Sequence, residues 1–293
     1  MYVLSCCSTV DLSLAHIQAR NIHYVPFHYM LDNKSYDDDL FTSMTPQTFY
    51  AAMADGCDTR TSQVNVDEFI TFFTPFLQEG NDIFHLSFSS GLSGTYNSAC
   101  VAMNMLKEEY PERKIIVVDS LAASSGYGLL LDRVADLRDE GMSMEDLQQW
   151  IEKNRLSVNH WFYSTDLTFY VKGGRVSKTA GFFGNMLNIC PLLNVNNEGH
   201  LIPRAKIRGK KKVLAEIVSR MESLARDGYD YDGKCYISHS NFIEDAQAVA
   251  QLIEQKFPKL NGKVLINPIG PTIGSHAGPG TVALFFFGKN REE

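Results

Sequence analysis

A hydroxyl- and glycine-rich stretch, Ser89-Ser90-Gly91-Leu92-Ser93-Gly94-Thr95, links the apolar run Ile83-Phe84-His85-Leu86-Ser87-Phe88 to a segment with helical spacing. Glycines let backbone approach a ligand closely, and the first N–H groups of a helix are unpaired donors with partial positive charge. Hydroxyls of Ser93 and Thr95 add donors at the same point, so a turn of this kind after a strand can hold an anion. The alternative is plain helix capping, in which Ser93 or Thr95 bonds only its own backbone. The stretch lacks the terminal Gly-Lys-Ser/Thr of a nucleotide phosphate loop, and Thr95 stands where a nucleophile elbow needs glycine. Thr61 and Ser62 form a second hydroxyl pair, which reads as an N-cap before a helix over Val66 to Phe76. A third cluster runs from Gly270 to Gly280 and holds His276 among Gly-Pro turns on a constrained loop. A histidine there can hydrogen-bond an anion, and a nearby carboxylate would favour its protonated form. In isolation it also reads as a surface-turn histidine.

Two dense basic segments stand out in an acidic chain: Lys172-Gly173-Gly174-Arg175 and Arg204 to Lys212. Alternation at Arg204, Lys206 and Arg208 would place three cations on one strand face. That is either a solvated face or a dock for an acidic or phosphate-bearing partner. Between them, Phe182, Phe183, Met186, Leu187, Leu192 and Leu193 read as core, or as the wall of an acyl-chain site. The histidines and cysteines show no zinc spacing, so metal catalysis is disfavoured.

The elements that must position these groups alternate strand and helix. Tyr2-Val3-Leu4 opens the chain as a strand, and a turn-rich polar segment follows. The strand at Ile83 leads to a helix over Thr95 to Tyr110, a strand Ile115 to Val118, and a helix Gly126 to Glu140. That order predicts a parallel sheet with right-handed crossovers. The second half is more mixed: strands at Trp161 to Ser164, Leu201 to Ile207, Lys234 to His239, Val264 to Asn267 and Thr281 to Gly288. Its helices fall over Phe182 to Asn188, Val213 to Arg226 and Ile243 to Phe257. The expected fold is α/β in two lobes, residues 1–158 with a mainly parallel sheet and 159–293 with a mixed one.

The chain has 293 residues and 27 Lys+Arg against 34 Asp+Glu, for a net charge of −7. A pI of about 5.6 argues against nucleic acid as the main partner. Six scattered cysteines fit a reducing compartment, and the longest apolar run, Val282 to Phe287, is far short of a membrane span. The N-terminus lacks the basic start and apolar stretch of a signal peptide. The expectation is a cytoplasmic protein with at most transient membrane contact.

Taken together and in order, the segments resemble the DegV family of bacterial fatty-acid-binding proteins, the substrate-carrying subunits of a two-component fatty acid kinase. Thr61-Ser62-Gln63 is similar to its Thr-Ser-Gln-Pro motif, Ser89 to Tyr96 to its Ser-Ser-x-Leu-Ser-Gly-Thr-Tyr signature, and Val118-Asp119-Ser120 to a strand end. Asp166-Leu167 with Lys172 to Arg175, Arg208-Gly209, and His276 with Gly278-Pro279-Gly280 match further segments. The resemblance implies a long-chain fatty acid as ligand and no other cofactor. Its carboxylate would lie at the lobe junction, held by Thr61, Ser93 and His276 with Ser62, Gly94 and Thr95 around them, and its tail would fill an apolar tunnel in the second lobe. It implies no catalytic residue in this chain, and a separate ATP-dependent kinase that makes the acyl phosphate for phospholipid synthesis. Arg175 and Arg208 would face that kinase. Cys7, Val64 and Cys190 stand where the family carries Asp, Pro and Lys. The competing readings are a binding-only carrier and a small-molecule hydrolase or phosphotransferase using Ser93 and His276.

Overall fold

The computed structural model describes residues 2–177 and 188–292. Its strands are β1 Tyr2–Cys7, β2 Ile22–Val25, β3 His28–Leu31, β4 Lys34–Asp37, β5 Thr59–Ser62, β6 Asp82–Ser87 and β7 Ile115–Asp119. They continue with β8 Val158–Ser164, β9 Ile189–Val195, β10 Leu201–Arg208, β11 Tyr236–His239, β12 Leu265–Pro268 and β13 Thr281–Phe287. The helices are α1 Leu14–Ala19, α2 Pro46–Ala54, α3 Val66–Gln78, α4 Thr95–Glu109, α5 Ser124–Asp139, α6 Met144–Asn154, α7 Thr168–Lys172, α8 Lys210–Leu224, α9 Ile243–Lys256 and α10 Pro271–Ala277.

Four strands in the order β2-β1-β6-β7 make an entirely parallel sheet. A second sheet, β10-β9-β8-β13-β11-β12, is antiparallel except for the β11/β12 pair. The mixed α/β expectation therefore holds, with the parallel sheet first and the mixed sheet second. Period-two alternation decides what each face of the second sheet covers. On β8, Phe162 joins the core shared with the first sheet, while Trp161 and Tyr163 join a separate core under α8 and α9. On β13, Ala283 and Phe285 take the first side, and Val282, Leu284 and Phe286 the second. Helix α5 packs against β8, β11 and β13, which explains why it is buried on nearly every face.

The polar segment after β1 is not merely turns. It folds into α1, β2, α2 and a third sheet, β4-β3-β5, whose aromatic core is Tyr29, Phe49, Tyr50 and Met53. Thr61 and Ser62 lie in β5, so they do not cap α3. Asn65 does, in a reciprocal capping box with Glu68. The expected constrained loop around His276 is instead the seven-residue helix α10, with Pro271 at its first position and Gly278 at φ 67° after its last. Proline at the start and glycine beyond the end are helix punctuation as much as turn punctuation. The helix expected over Phe182 to Asn188 falls almost wholly outside the described residues. Among these, no helix is long and apolar enough to cross a membrane, and no group of three or more His, Cys, Asp or Glu side chains could hold a metal ion.

Candidate functional site

Between the two sheets lies a cavity of about 400 Å³. That is within the range of about 300–1,000 Å³ typical of small-molecule sites. Most of its wall is apolar: Phe27 and Phe88 from the first half of the chain, Phe162, Ala283 and Phe285 from the second sheet, and Ile273 from α10. Thr61, Ser93, Gly94, Arg175 and His276 also line it.

Their hydrogen bonds fix which atom carries which proton. Arg175 Nη1 lies 3.4 Å from His276 Nδ1, and Thr61 Oγ1 lies 2.7 Å from His276 Nε2. A guanidinium can only donate, so Nδ1 is the acceptor and the imidazole proton sits on Nε2, donated to Thr61. Thr61 Oγ1 then accepts, and its own O–H is left to point elsewhere. Ser93 repeats the pattern: its Oγ accepts from the backbone N–H of Thr95 at 3.2 Å. Capping and ligand binding are thus compatible at Ser93, because a hydroxyl accepts with its oxygen and donates with its proton. Arg175 is anchored by donating to the carbonyls of Gly173 at 2.6 Å and Leu92 at 3.1 Å. A methyl group at Gly173 would collide with the His276 ring, so the glycine is a steric requirement there.

Burial, and secondarily the Arg175 charge, push the His276 imidazole down to about 4. Among the described residues it is a cation, Arg175, and not a carboxylate that stands beside the ring, so His276 is neutral at pH 7. In the unfolded chain it would titrate near 6.5. The unfolded state therefore binds more protons between pH 6.5 and about 4, and the contribution of neutral His276 to stability, complete above 6.5, is lost as pH falls through that window. In a ¹⁵N-edited NMR titration of ligand-free protein, His276 is expected to stay neutral down to about pH 5. Adding a carboxylate ligand raises its midpoint, and a free-protein midpoint near 6.5 would contradict the buried geometry.

The structure thus brings Thr61, Ser93, Gly94 and His276 to one cavity and sets three other expected residues differently around it. Ser62 is exposed and does not line it. Thr95 is fully buried behind Ser93, contributing its backbone N–H rather than its hydroxyl. Arg175, expected on a rim, is half-buried in the cavity wall and bonded to His276. Arg208 lies exposed on β10, on the same face as Arg204 and Lys206, as the alternation predicted. Of the apolar run expected to wall a chain, Phe182, Phe183, Met186 and Leu187 lie outside the described residues, and Leu192 and Leu193 are strand core.

A model of the DegV family, described as an uncharacterised protein, matches residues 7–289. This chain belongs to the DegV family. The DegV chain is 37% identical over 291 residues to a DegV domain-containing protein of Clostridium perfringens, with 99% of each covered. A DegV family protein from Thermus thermophilus, solved for its fatty acid binding, is 28% identical, with TM-score 0.86 over 98% of this DegV chain and 99% of that one. The Streptococcus pneumoniae fatty acid kinase B3 protein, loaded with linoleic acid, has the same fold: TM-score 0.84, 24% identity, and coverage of 99% and 100%.

Proposed function

We propose that this protein binds a long-chain fatty acid between its two lobes, residues 1–158 and 159–293, and presents the carboxylate to a separate ATP-dependent kinase in the cytoplasm. The observation that carries the reading is a polar group set in a mainly apolar cavity: the Thr61 and Ser93 hydroxyls with protons to give, the neutral His276 and Arg175. Thr61 and Ser93 would donate to the carboxylate oxygens, with Gly94 allowing close approach. Arg175 supplies the countercharge that a buried carboxylate requires. Each buried CH₂ of the tail contributes roughly 0.8 kcal/mol. The Thermus relative, described for fatty acid binding, supports the ligand class.

The kinase step rests on the matched motifs and on the shared fold of the pneumococcal protein. A carboxylate oxygen attacks the γ-phosphorus of ATP, the bond to ADP breaks, and an acyl phosphate forms. The carrier contributes positioning, and the partner contributes nucleotide and metal. Arg208 would lie on the partner-facing surface. Direct hydrolysis by Ser93 is disfavoured because the ring nitrogens of His276 are engaged by Thr61 and Arg175, which leaves neither to act as base for Ser93.

Organic extraction of natively purified protein followed by mass spectrometry is expected to return one long-chain fatty acid per chain. Absence of lipid together with no uptake of added oleate would overturn the proposal.

A further inference from the structure

The turn between β9 and β10 reaches across from the second sheet to the loops at the carboxyl ends of β6 and β7. Ser89, fully buried, uses one hydroxyl twice: it accepts from Gly91 N–H at 3.2 Å and donates to the Gly199 carbonyl at 3.0 Å. The approach is so close that neither chain has room for a side chain. A Cβ on Gly91 would sit 2.6 Å from the Glu198 carbonyl oxygen and 2.8 Å from the Gly199 carbonyl carbon. A Cβ on Gly199 would collide with Ser89 Oγ, and the φ of +80° there already favours glycine. Asn196 shapes the turn, its Oδ1 accepting from Glu198 N–H at 3.2 Å and from His200 N–H at 2.8 Å. The flanking residues Val195 and Leu201 line the cavity.

The loop clamped in this way is the one that aims Ser93. The backbone N–H groups of Leu92 and Ser93 both donate to the Ser89 carbonyl, at 3.1 and 3.2 Å. Ser89 is therefore the pivot on which the hairpin tip and the head-group loop meet. We propose that the β9–β10 hairpin tip, Asn196 to His200, is a positioning element that sets Ser93 for carboxylate capture and so sets discrimination between a fatty acid and a neutral lipid of the same chain. The inference rests on the fatty-acid reading above. It adds a determinant of head-group selectivity in a part of the chain that does not touch the carboxylate.

The test is a double-mutant cycle between Asn196→Ala and Ser93→Ala, with oleate and oleyl alcohol as probes and binding followed by calorimetry. Asn196→Ala is expected to lose about tenfold in oleate affinity, within the usual coupling range for residues sharing one network. The affinity for oleyl alcohol should stay within about twofold, because Asn196 is not part of the cavity wall. In the Ser93→Ala background the same change should cost nothing further for oleate. A hairpin that merely stabilises the fold would give equal losses for both probes, or losses that add in the cycle, and either result overturns the proposal. Should Asn196→Ala fail to fold, Asn196→Ser takes its place: a serine hydroxyl makes the same turn more weakly, so a smaller loss for oleate with oleyl alcohol unchanged is expected, and equal or additive losses overturn the proposal. A wild-type protein that binds neither probe removes the fatty-acid reading itself, an outcome distinct from binding with an additive cycle.

Discussion

Replacing His276 by Ala is expected to weaken fatty-acid binding by roughly tenfold to a hundredfold, the worth of a charge-linked hydrogen bond network of about 1.5–3 kcal/mol. The imidazole spans the Arg175 guanidinium and the Thr61 hydroxyl, at 3.4 and 2.7 Å. Without it, Thr61 Oγ1 loses its donor, and nothing then prevents the hydroxyl from turning away from the ligand. Arg175 keeps its bonds to the Gly173 and Leu92 carbonyls, so the countercharge stays close while the relay is broken. His276→Gln tests geometry rather than charge, because a neutral amide replaces an imidazole that is itself neutral at pH 7. It should recover part of the loss. Calorimetric titration with oleate beside a thermal melt separates the site from the fold. An unchanged dissociation constant in His276→Ala would remove the histidine from the head-group site.

How far the site could be read in advance depended on what surrounds each residue in the chain. Ser93 and Gly94 are legible as candidates because a hydroxyl-glycine turn between a strand and a helix either caps that helix or holds an anion, and the Ser93 hydroxyl can do both. The inward setting of Arg175 is not legible, because a Lys-Gly-Gly-Arg run reads as solvated charge. What turns it inward is a contact distant in sequence: Gly173 must lack a side chain to admit His276, about a hundred residues later. Thr61 and Ser62 were legible as hydroxyls but not as strand. Thr-Arg-Thr-Ser has no apolar alternation, and β5 exists because β3 offers it a register, Thr61 opposite Tyr29.

The sheets themselves divide in the same way. Residues 83–87 and 115–119 are near-continuous apolar runs of the kind that buried parallel strands require, and both were found. The third sheet was missed because its core comes from α2 and the aromatic residues Tyr29 and Tyr36, which stack at 5.2 Å only once the chain has folded. Gly-Pro spacing around His276 fits a turn and a short helix equally. The choice is made by tertiary partners: Gly270 N–H donates to Asp11 and Thr272 N–H to Asp38, two buried carboxyl groups from the first half of the chain. Burial pushes Asp11 to about 8 and Asp38 to about 6, against the hydrogen bonds they accept. No local pattern around residue 276 contains either group.

Asp132→Ala is expected to cost about 3 kcal/mol of stability. Asp132 is 1% exposed, and it accepts from Arg20 at 2.6 Å, from Tyr236 at 2.7 Å and from Lys234, with His16 Nε2 at 3.1 Å. Those partners come from α1 and the residue after it and from β11 and the residues just before it, so one carboxylate on α5 ties the first half of the chain to the second sheet. Removing one member of a buried charge cluster is costly because the others lose their compensation. Here the loss is moderated, since Arg20 and Lys234 both keep Asp136. Among the described residues the Tyr236 hydroxyl has no second carboxylate of that kind, and it carries the desolvation cost. Burial opposes the charge on Asp132, but hydrogen bonds from His16, Lys234 and Tyr236 outweigh it and hold the carboxyl well below its usual range. The sign follows: the stabilisation is complete above the unfolded-state value near 3.9 and is lost as pH falls through the lower native one. Urea unfolding at pH 7 should therefore separate wild type from Asp132→Ala by the full amount, and Asp132→Asn by less because it keeps an acceptor. The gap should narrow below about pH 4. Fatty-acid affinity of the folded variant should hardly move, since Asp132 lies two turns along α5 from the cavity-lining Ser124. A gap that stays constant into acid would mean that packing, rather than the charge, sets the value of this residue.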